Sequence, residues 1–174
     1  PYDLSGSMGL TGRFDHPDFK AVMDRIAAVC ARCGIAFVAH AHVEAARRLG
    51  CAAVHLPLPL LRAQGRPDGF AWVGTNVHEA DEVAEAEVLG ADVLVASPVF
   101  APSCKPASTA RGLPFLRAVL DRAHAPVFAL GGIIDENERL IREAGAAGAC
   151  RMADYARRRG VRQAAPCKYE RSRG

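Results

Sequence analysis

Apolar residues along the chain fall into short continuous runs, each of which stops at a small or polar residue. The clearest runs are 92–97 and 126–130, and similar ones occupy 35–39, 52–56, 70–74 and 148–152. Continuous runs of Val, Leu, Ile and Ala are typical of strands in a parallel sheet, because both faces of such a sheet are covered. The pattern therefore predicts six buried parallel strands.

Segments of helical length separate these runs. Apolar positions recur at helical spacing from Asp18 or Phe19 to Gly34, and the other predicted helices are 43–49, 78–89, 112–122, 137–144 and 154–159. Residues 57–69 are predicted as a loop. The alternation of strand and helix predicts a parallel α/β fold, which is either a doubly wound sheet or a barrel. Close spacing of the strands favours a TIM-barrel-type (β/α) parallel barrel that is incomplete at its N-terminus, because a full eight-fold barrel takes about 250 residues.

The chain has 174 residues, of which half are hydrophobic, enough for one domain with its own core. We expect an N-terminal loop segment at 1–18, the barrel domain at 19–160 and a disordered basic tail at 161–174. The net charge is +3, and the tail lacks the aromatic residues of a nucleic-acid platform, so no nucleic-acid partner is expected. Neither a transmembrane run nor a signal peptide is visible, which predicts a cytoplasmic location without a membrane partner.

Residues with usable chemistry follow the two clearest strands. The strand at 126–130 runs into Gly131 and Gly132, and paired glycines let backbone N–H groups approach an anion just before a helix. The polar loop after 92–97 carries Ser103 and Lys105, and the lysine there would act as a point charge. These features predict a site for an anionic ligand, most plausibly a phosphate.

Histidines supply a second set of candidates. His40 and His42 follow the first strand at positions i and i+2, which places them on one side, as a pair of metal ligands would be, if the chain stays extended. His55 is interpreted as a hydrogen-bonded core residue and His78 as a residue that bonds a loop at the rim. Arg151 faces either the phosphate end or the outer face, and the sequence leaves both open.

Ordered motifs across residues 30–153 resemble the thiamine-phosphate synthase superfamily, which includes the thiazole tautomerases. They are Asn76-x-His78, Leu89-Gly90-Ala91-Asp92, Ser97-Pro98-Val99-Phe100, Lys105, Gly131-Gly132-Ile133 with Asn137, and Ala144-Gly145-Ala146. The resemblance implies a phosphate-binding (β/α)8 barrel that joins a hydroxymethylpyrimidine diphosphate to a thiazole phosphate and releases pyrophosphate. Such chemistry needs cations and backbone donors where charge develops.

The resemblance also implies roles for particular residues. Lys105 would be the catalytic residue, and the substrate and its phosphate would be bound by Gly131, Gly132, Asn76, Ser103 and His40. The expected partner is a small phosphorylated heterocycle, and the expected cofactor is Mg²⁺ if the chain is catalytically active.

Several positions depart from the family pattern. His40 and Ala41 stand where the synthases carry an Asn-Asp pair, and residues 58–61 contain no carboxylate where a second acidic ligand is expected. Asn76 replaces a phosphate-binding Ser, and Pro102-Ser103-Cys104 replaces a Thr-x-Thr motif. Mg²⁺ prefers carboxylate oxygens, so its expected ligands are largely absent and no metal-binding residue is assigned.

Two other functions stay open. One is a non-catalytic binder of a phosphorylated ligand, or an inactive remnant of the enzyme. The other is a metal-dependent pyruvate aldolase or lyase, because residues 2–10 and 14–17 resemble a loop of that family in which Asp3 would bind the metal. An incomplete barrel exposes two strand edges, which gives a reason to expect a homo-oligomer.

Overall fold

The computed structural model describes residues 17–101 and 109–151. The strands are β1 (Val38–His40), β2 (Ala53–Leu56), β3 (Trp72–Val77), β4 (Val93–Ala96), β5 (Val127–Leu130) and β6 (Gly148–Cys150). The helices are α1 (Pro17–Cys33), α2 (Val43–Arg48), α3 (Leu58–Gln64), α4 (Glu82–Val88), α5 (Gly112–Leu120) and α6 (Asp135–Glu143). Within the described ranges, no helix is both long and apolar enough to cross a membrane.

The strands form one sheet in the order β1-β2-β3-β4-β5-β6, and every neighbouring pair is parallel. This sheet curls into an incomplete barrel with helices between its strands, which confirms the predicted TIM-barrel-type α/β fold. Because all six strands run the same way, their carboxyl ends meet at one edge. The loops that follow those ends hold the candidate site.

Side chains alternate between the two faces of the sheet. One set packs with the helices in the main core, including Val54, Leu56 and Leu94 with Leu61 of α3 and Leu116 of α5. The other set forms a second cluster on the opposite, inner face: Val38, Ala53, Val93, Val95, Phe128 and Cys150, with Trp72 and Leu130 against it. This two-residue period explains why the strands read as continuous apolar runs.

The region predicted as a loop at 57–69 contains α3, so that prediction is wrong. Pro57 caps this helix and Pro59 lies in its first turn, where a missing N–H costs no hydrogen bond. Leu58 and Leu61 of the helix are buried against the sheet.

The boundaries around β3 also differ from the prediction. A strand was expected at 70–74 and a helix from His78, but β3 runs from Trp72 to Val77 and α4 begins at Glu82. Asn76 is therefore a strand residue, and His78 lies in the connection after it. At the chain's start, α1 begins at Pro17, two residues before the expected domain boundary, while the helix expected at 154–159 and the tail lie outside the described residues.

The carboxylate of Glu87, on α4, holds the loop that precedes β5 through hydrogen bonds. It accepts hydrogen bonds from the backbone N–H groups of His124 (2.7 Å) and Ala125 (2.9 Å), and His124 Nδ1 lies 3.0 Å from its second oxygen. Burial acts to raise the pKa of Glu87, but these bonds from Ala125 and His124 outweigh it and leave the pKa below its ordinary value. A carboxyl group with a depressed pKa stabilises the fold in its ionised form.

We predict that Glu87→Ala lowers the free energy of unfolding by about 1–2 kcal/mol, because one exposed and one partly buried backbone donor lose a charged acceptor. Glu143→Ala is the matched control, since Glu143 pairs with Arg139 on an exposed face of α6, and it should cost less than about 0.5 kcal/mol. The pKa of Glu87 is lowered, so its contribution is complete above the unfolded pKa of about 4.3 and disappears as pH falls through the folded value. Urea unfolding at several pH values measures both effects, and a difference between wild type and Glu87→Ala that stays constant into acid would contradict this account.

Candidate functional site

Polar side chains form a connected row across the carboxyl ends of β1 to β4. We call His40, His55, Asn76, Ser97 and His78 the strand-end row. The rings of His40 and His55 stack with their centroids 5.3 Å apart and their planes at 21°. His55 Nε2 lies 2.6 Å from Asn76 Oδ1, and Asn76 Nδ2 lies 3.5 Å from Ser97 Oγ. His78 Nδ1 lies 2.7 Å from the Ser97 carbonyl oxygen and completes the row with the loop contact expected of it.

His55 is neutral in the folded protein. Burial lowers its pKa to about 4, the hydrogen bond to Asn76 acts against that shift, and His40 adds to it. Because Nε2 faces a carbonyl oxygen, it carries the proton and donates to Asn76. Its other nitrogen, Nδ1, packs against Gly74, where an added Cβ would lie only 2.8 Å away. Burial and His42 also lower the pKa of His40, so both imidazoles favour the uncharged form.

Gly131 and Gly132 follow β5 in left-handed backbone conformations, with φ of +108° and +58°. A Cβ on Gly131 would lie 2.8 Å from Pro98 Cβ, and one on Gly132 would lie 2.6 Å from the carbonyl oxygen of Ala101. The Phe100 N–H donates to the Gly131 carbonyl at 3.0 Å. The paired glycines are therefore required for the loop after β4 to pack against the turn after β5.

Asn137 ties this glycine turn to the first turn of α6. Its Nδ2 donates to the Gly132 carbonyl at 2.9 Å, and its Oδ1 accepts from the Ile134 N–H at 2.9 Å. The bonds at the turn engage glycine carbonyls, and none of the described residues accepts a hydrogen bond from the Gly131 or Gly132 N–H. Two backbone donors next to a helix N-terminus suit an anion.

Arg151 follows β6 and pairs with carboxylates in the first turn of α6, the helix that begins just after the glycine turn. Its side chain is 9% exposed and reaches Asp135 at 2.6 Å and Glu138 at 2.8 Å. Leu130 and Cys150 are partners in the β5–β6 ladder, so Arg151 lies beside the glycine turn along the sheet edge. The guanidinium thus compensates the carboxylates that α6 places in its first turn.

The structure brings four of the sequence-predicted site residues to one edge of the sheet: His40, Asn76, Gly131 and Gly132. Lys105 and Ser103 lie outside the described residues, so their predicted roles stay predictions. Ser97 was not predicted as a site residue, and the bond between His55 and Asn76 joins residues 21 positions apart. In the described ranges, no group of three or more His, Cys, Asp or Glu side chains could hold a metal ion.

A curled parallel sheet with its polar side chains gathered at the carboxyl ends defines a TIM-barrel-type α/β protein. The family model described as thiamine monophosphate synthase matches residues 11–154. The chain therefore belongs to the thiamine monophosphate synthase family, which confirms the predicted superfamily. The match begins earlier than the residue 30 expected from the motifs and leaves residues 1–10 outside.

Individual relatives agree with the family. The thiamine-phosphate synthase of Shouchella clausii is 32% identical over 158 residues, which cover 83% of this chain and 73% of that protein. That of Syntrophomonas wolfei is 39% identical over 95 residues, covering 54% of this chain and 44% of the relative. A solved thiamine phosphate pyrophosphorylase from Pyrococcus furiosus shares the fold, with a TM-score of 0.65 at 23% identity over 78% of this chain and 66% of that one.

We predict that Gly132→Ala destabilises the protein more than a left-handed backbone alone would. A methyl group there meets the Ala101 carbonyl at 2.6 Å, so the loop after β4 must move. Gly50→Ala is the matched control, because Gly50 has a similar φ of +64° with nothing within 4 Å of an added Cβ. The control should cost about 1 kcal/mol and Gly132→Ala at least about 2 kcal/mol more in urea unfolding. Equal losses would show that the close approach of the two loops contributes little.

Ala41, directly after β1, is the one non-glycine residue with a positive φ (+62°) in the described part of the chain. Its N–H donates to the His55 carbonyl at 2.8 Å, which holds it in this conformation. We predict that Ala41→Gly raises the free energy of unfolding by about 0.5–1 kcal/mol, because glycine relieves the clash of Cβ with the backbone. Ala71→Gly, at a position without a positive φ, should be neutral or destabilising. A loss of stability for Ala41→Gly would contradict the inferred strain.

Proposed function

We propose that this chain is a thiamine-phosphate synthase-like transferase that binds a small phosphorylated heterocycle at the carboxyl edge of its sheet. The reaction would join a pyrimidine diphosphate to a thiazole phosphate and release pyrophosphate. The observation that carries the proposal is the glycine turn, held by Asn137 with two backbone N–H groups beside the start of α6. Family membership supports the same reaction class.

In this proposal the glycine turn binds the phosphate group. The Gly131 and Gly132 N–H groups donate to its oxygens, and the positive end of the nine-residue α6 adds to the attraction. Arg151 offsets Asp135 and Glu138, whose charges would otherwise repel an anion. Lys105, in the sequence after β4, would provide a positive charge, and Ser103 would provide a hydroxyl donor.

The heterocycle would lie over the strand-end row in this proposal. Asn76 uses its Oδ1 for His55, so its amide N–H groups point to Ser97 and toward a ligand. Ser97 leads directly into Pro98, whose ring would touch a Cβ on Gly131, so the row and the turn are continuous along the edge. His40 would offer a flat, uncharged ring at one end of the row.

A second candidate is a non-catalytic binder of the same kind of ligand. His40 and Ala41 replace the Asn-Asp pair expected of an active synthase, and this replacement favours a binder. The aldolase alternative has no such support, because Asp3 lies outside both the family match and the described residues. The cytoplasmic location and the homo-oligomer stay predictions.

Isothermal titration of the full chain with thiazole phosphate tests the shared part of both candidates. We predict binding, and we predict that Asn137→Ala weakens it roughly three- to tenfold, because the glycine turn loses the hydrogen bond to its Gly132 carbonyl, worth about 0.5–1.5 kcal/mol. Arg139→Gln, on the exposed side of the same helix, should leave the affinity unchanged. Turnover with the pyrimidine diphosphate would identify the transferase, while binding without turnover would identify the binder. If a folded sample does not bind thiazole phosphate, both the transferase and the binder are refuted.

A further inference from the structure

The ends of β1 and β2 offer no oxygen ligands to a divalent cation. Ala41 presents a methyl group after β1, and β2 leads into Leu56, Pro57 and Leu58. Leu56 and Leu58 are 0% and 3% exposed, so this connection points into the core. Mg²⁺ binds carboxylate, carbonyl and water oxygens, and alkyl groups cannot replace them.

His55 cannot serve as a metal ligand in this arrangement. Its Nε2 donates a proton to Asn76 Oδ1 at 2.6 Å, and its Nδ1 is packed against the backbone of Gly74. A ligating imidazole needs a free lone pair about 2 Å from the metal. Asn76 Oδ1 already accepts the hydrogen bond from His55, and its amide nitrogen is directed to Ser97 Oγ.

Glu79 and Glu82, two of the carboxylates that follow β3, are committed to other partners. Glu79 accepts a hydrogen bond from Arg111 at 2.6 Å. Glu82 accepts from the backbone N–H of His78 at 2.5 Å and of Glu79 at 3.0 Å, at the start of α4. Both carboxylates are held by donors of their own, so neither completes a cation site with the strand-end row.

What the row does present is uncharged and mostly donates hydrogen bonds. The lowered pKa values of His40 and His55 keep both rings neutral, and the amide of Asn76 adds N–H groups. Such a surface suits a flat, neutral heterocycle whose negative charge lies elsewhere. The glycine turn next to it provides the place for that charge.

We propose that the described residues of this site hold no divalent cation and that a phosphate monoester of a flat heterocycle binds to them without one, with the phosphate on the glycine turn and the ring on the strand-end row. This inference rests on the proposed function for the identity of the ligand, but the absence of cation binding is tested separately.

The first measurement is the binding of Mn²⁺, as a paramagnetic probe for a magnesium site, to the full chain by water-proton relaxation. We expect no binding by the wild type. Ala41→Asp restores a carboxylate at a left-handed position that Asp tolerates, and Ala41→Asn is its matched neutral control. Mn²⁺ binding by Ala41→Asp but not by Ala41→Asn would support the inference, and wild-type binding as strong as that of Ala41→Asp would overturn it.

The second measurement is calorimetric titration with thiazole phosphate, in excess Mg²⁺ and in a chelator. We expect the two affinities to agree within about threefold, and a larger gain with Mg²⁺ would overturn the inference. If thiazole phosphate binds in neither titration, the proposed function and the assigned ligand are both refuted. The Mn²⁺ result would still decide whether the row holds a cation, so the two failures are distinguishable.

Discussion

The parallel register of the six strands is the constraint on which the rest of the structure depends. Because every strand runs in the same direction, residues far apart in sequence arrive at one edge with matched orientation. His40 pairs with His55 in the β1–β2 ladder, which is what stacks their rings. The same alternation buries Val54 and Leu56 under the helices while it turns His55 inward, so one ladder builds both the core and the site.

Much of the fold could be predicted because its strands are buried on both faces, and this leaves apolar runs that are visible in the sequence. The errors occur where local signals mislead. Pro57 and Pro59 suggest a loop, yet prolines fit the first turn of a helix, and α3 forms there. The polar residues Thr75 and Asn76 suggest the end of a strand, yet β3 continues through them because Thr75 bonds the Leu56 carbonyl and Asn76 bonds His55.

The candidate site was predictable only in its local parts. Gly131 and Gly132 could be recognised because the turn needs left-handed backbone conformations, and two adjacent glycines in the sequence indicate such a turn. The bond between His55 and Asn76 could not, since it follows from the register of β2 with β3. The same holds for Arg151, whose pairing with Asp135 and Glu138 depends on where α6 packs.

Family membership and site chemistry are separate conclusions in this protein. The fold is set by dozens of buried positions, and these keep the family pattern across residues 11–154. The charge at the end of β1 is set by two residues, His40 and Ala41, which can change without disturbing the core. Ala41 adopts a left-handed backbone, held by the His55 carbonyl, although it lacks a polar side chain that would favour this conformation. A methyl group at such a position leaves the shape of the strand end intact but offers no ligand to a cation.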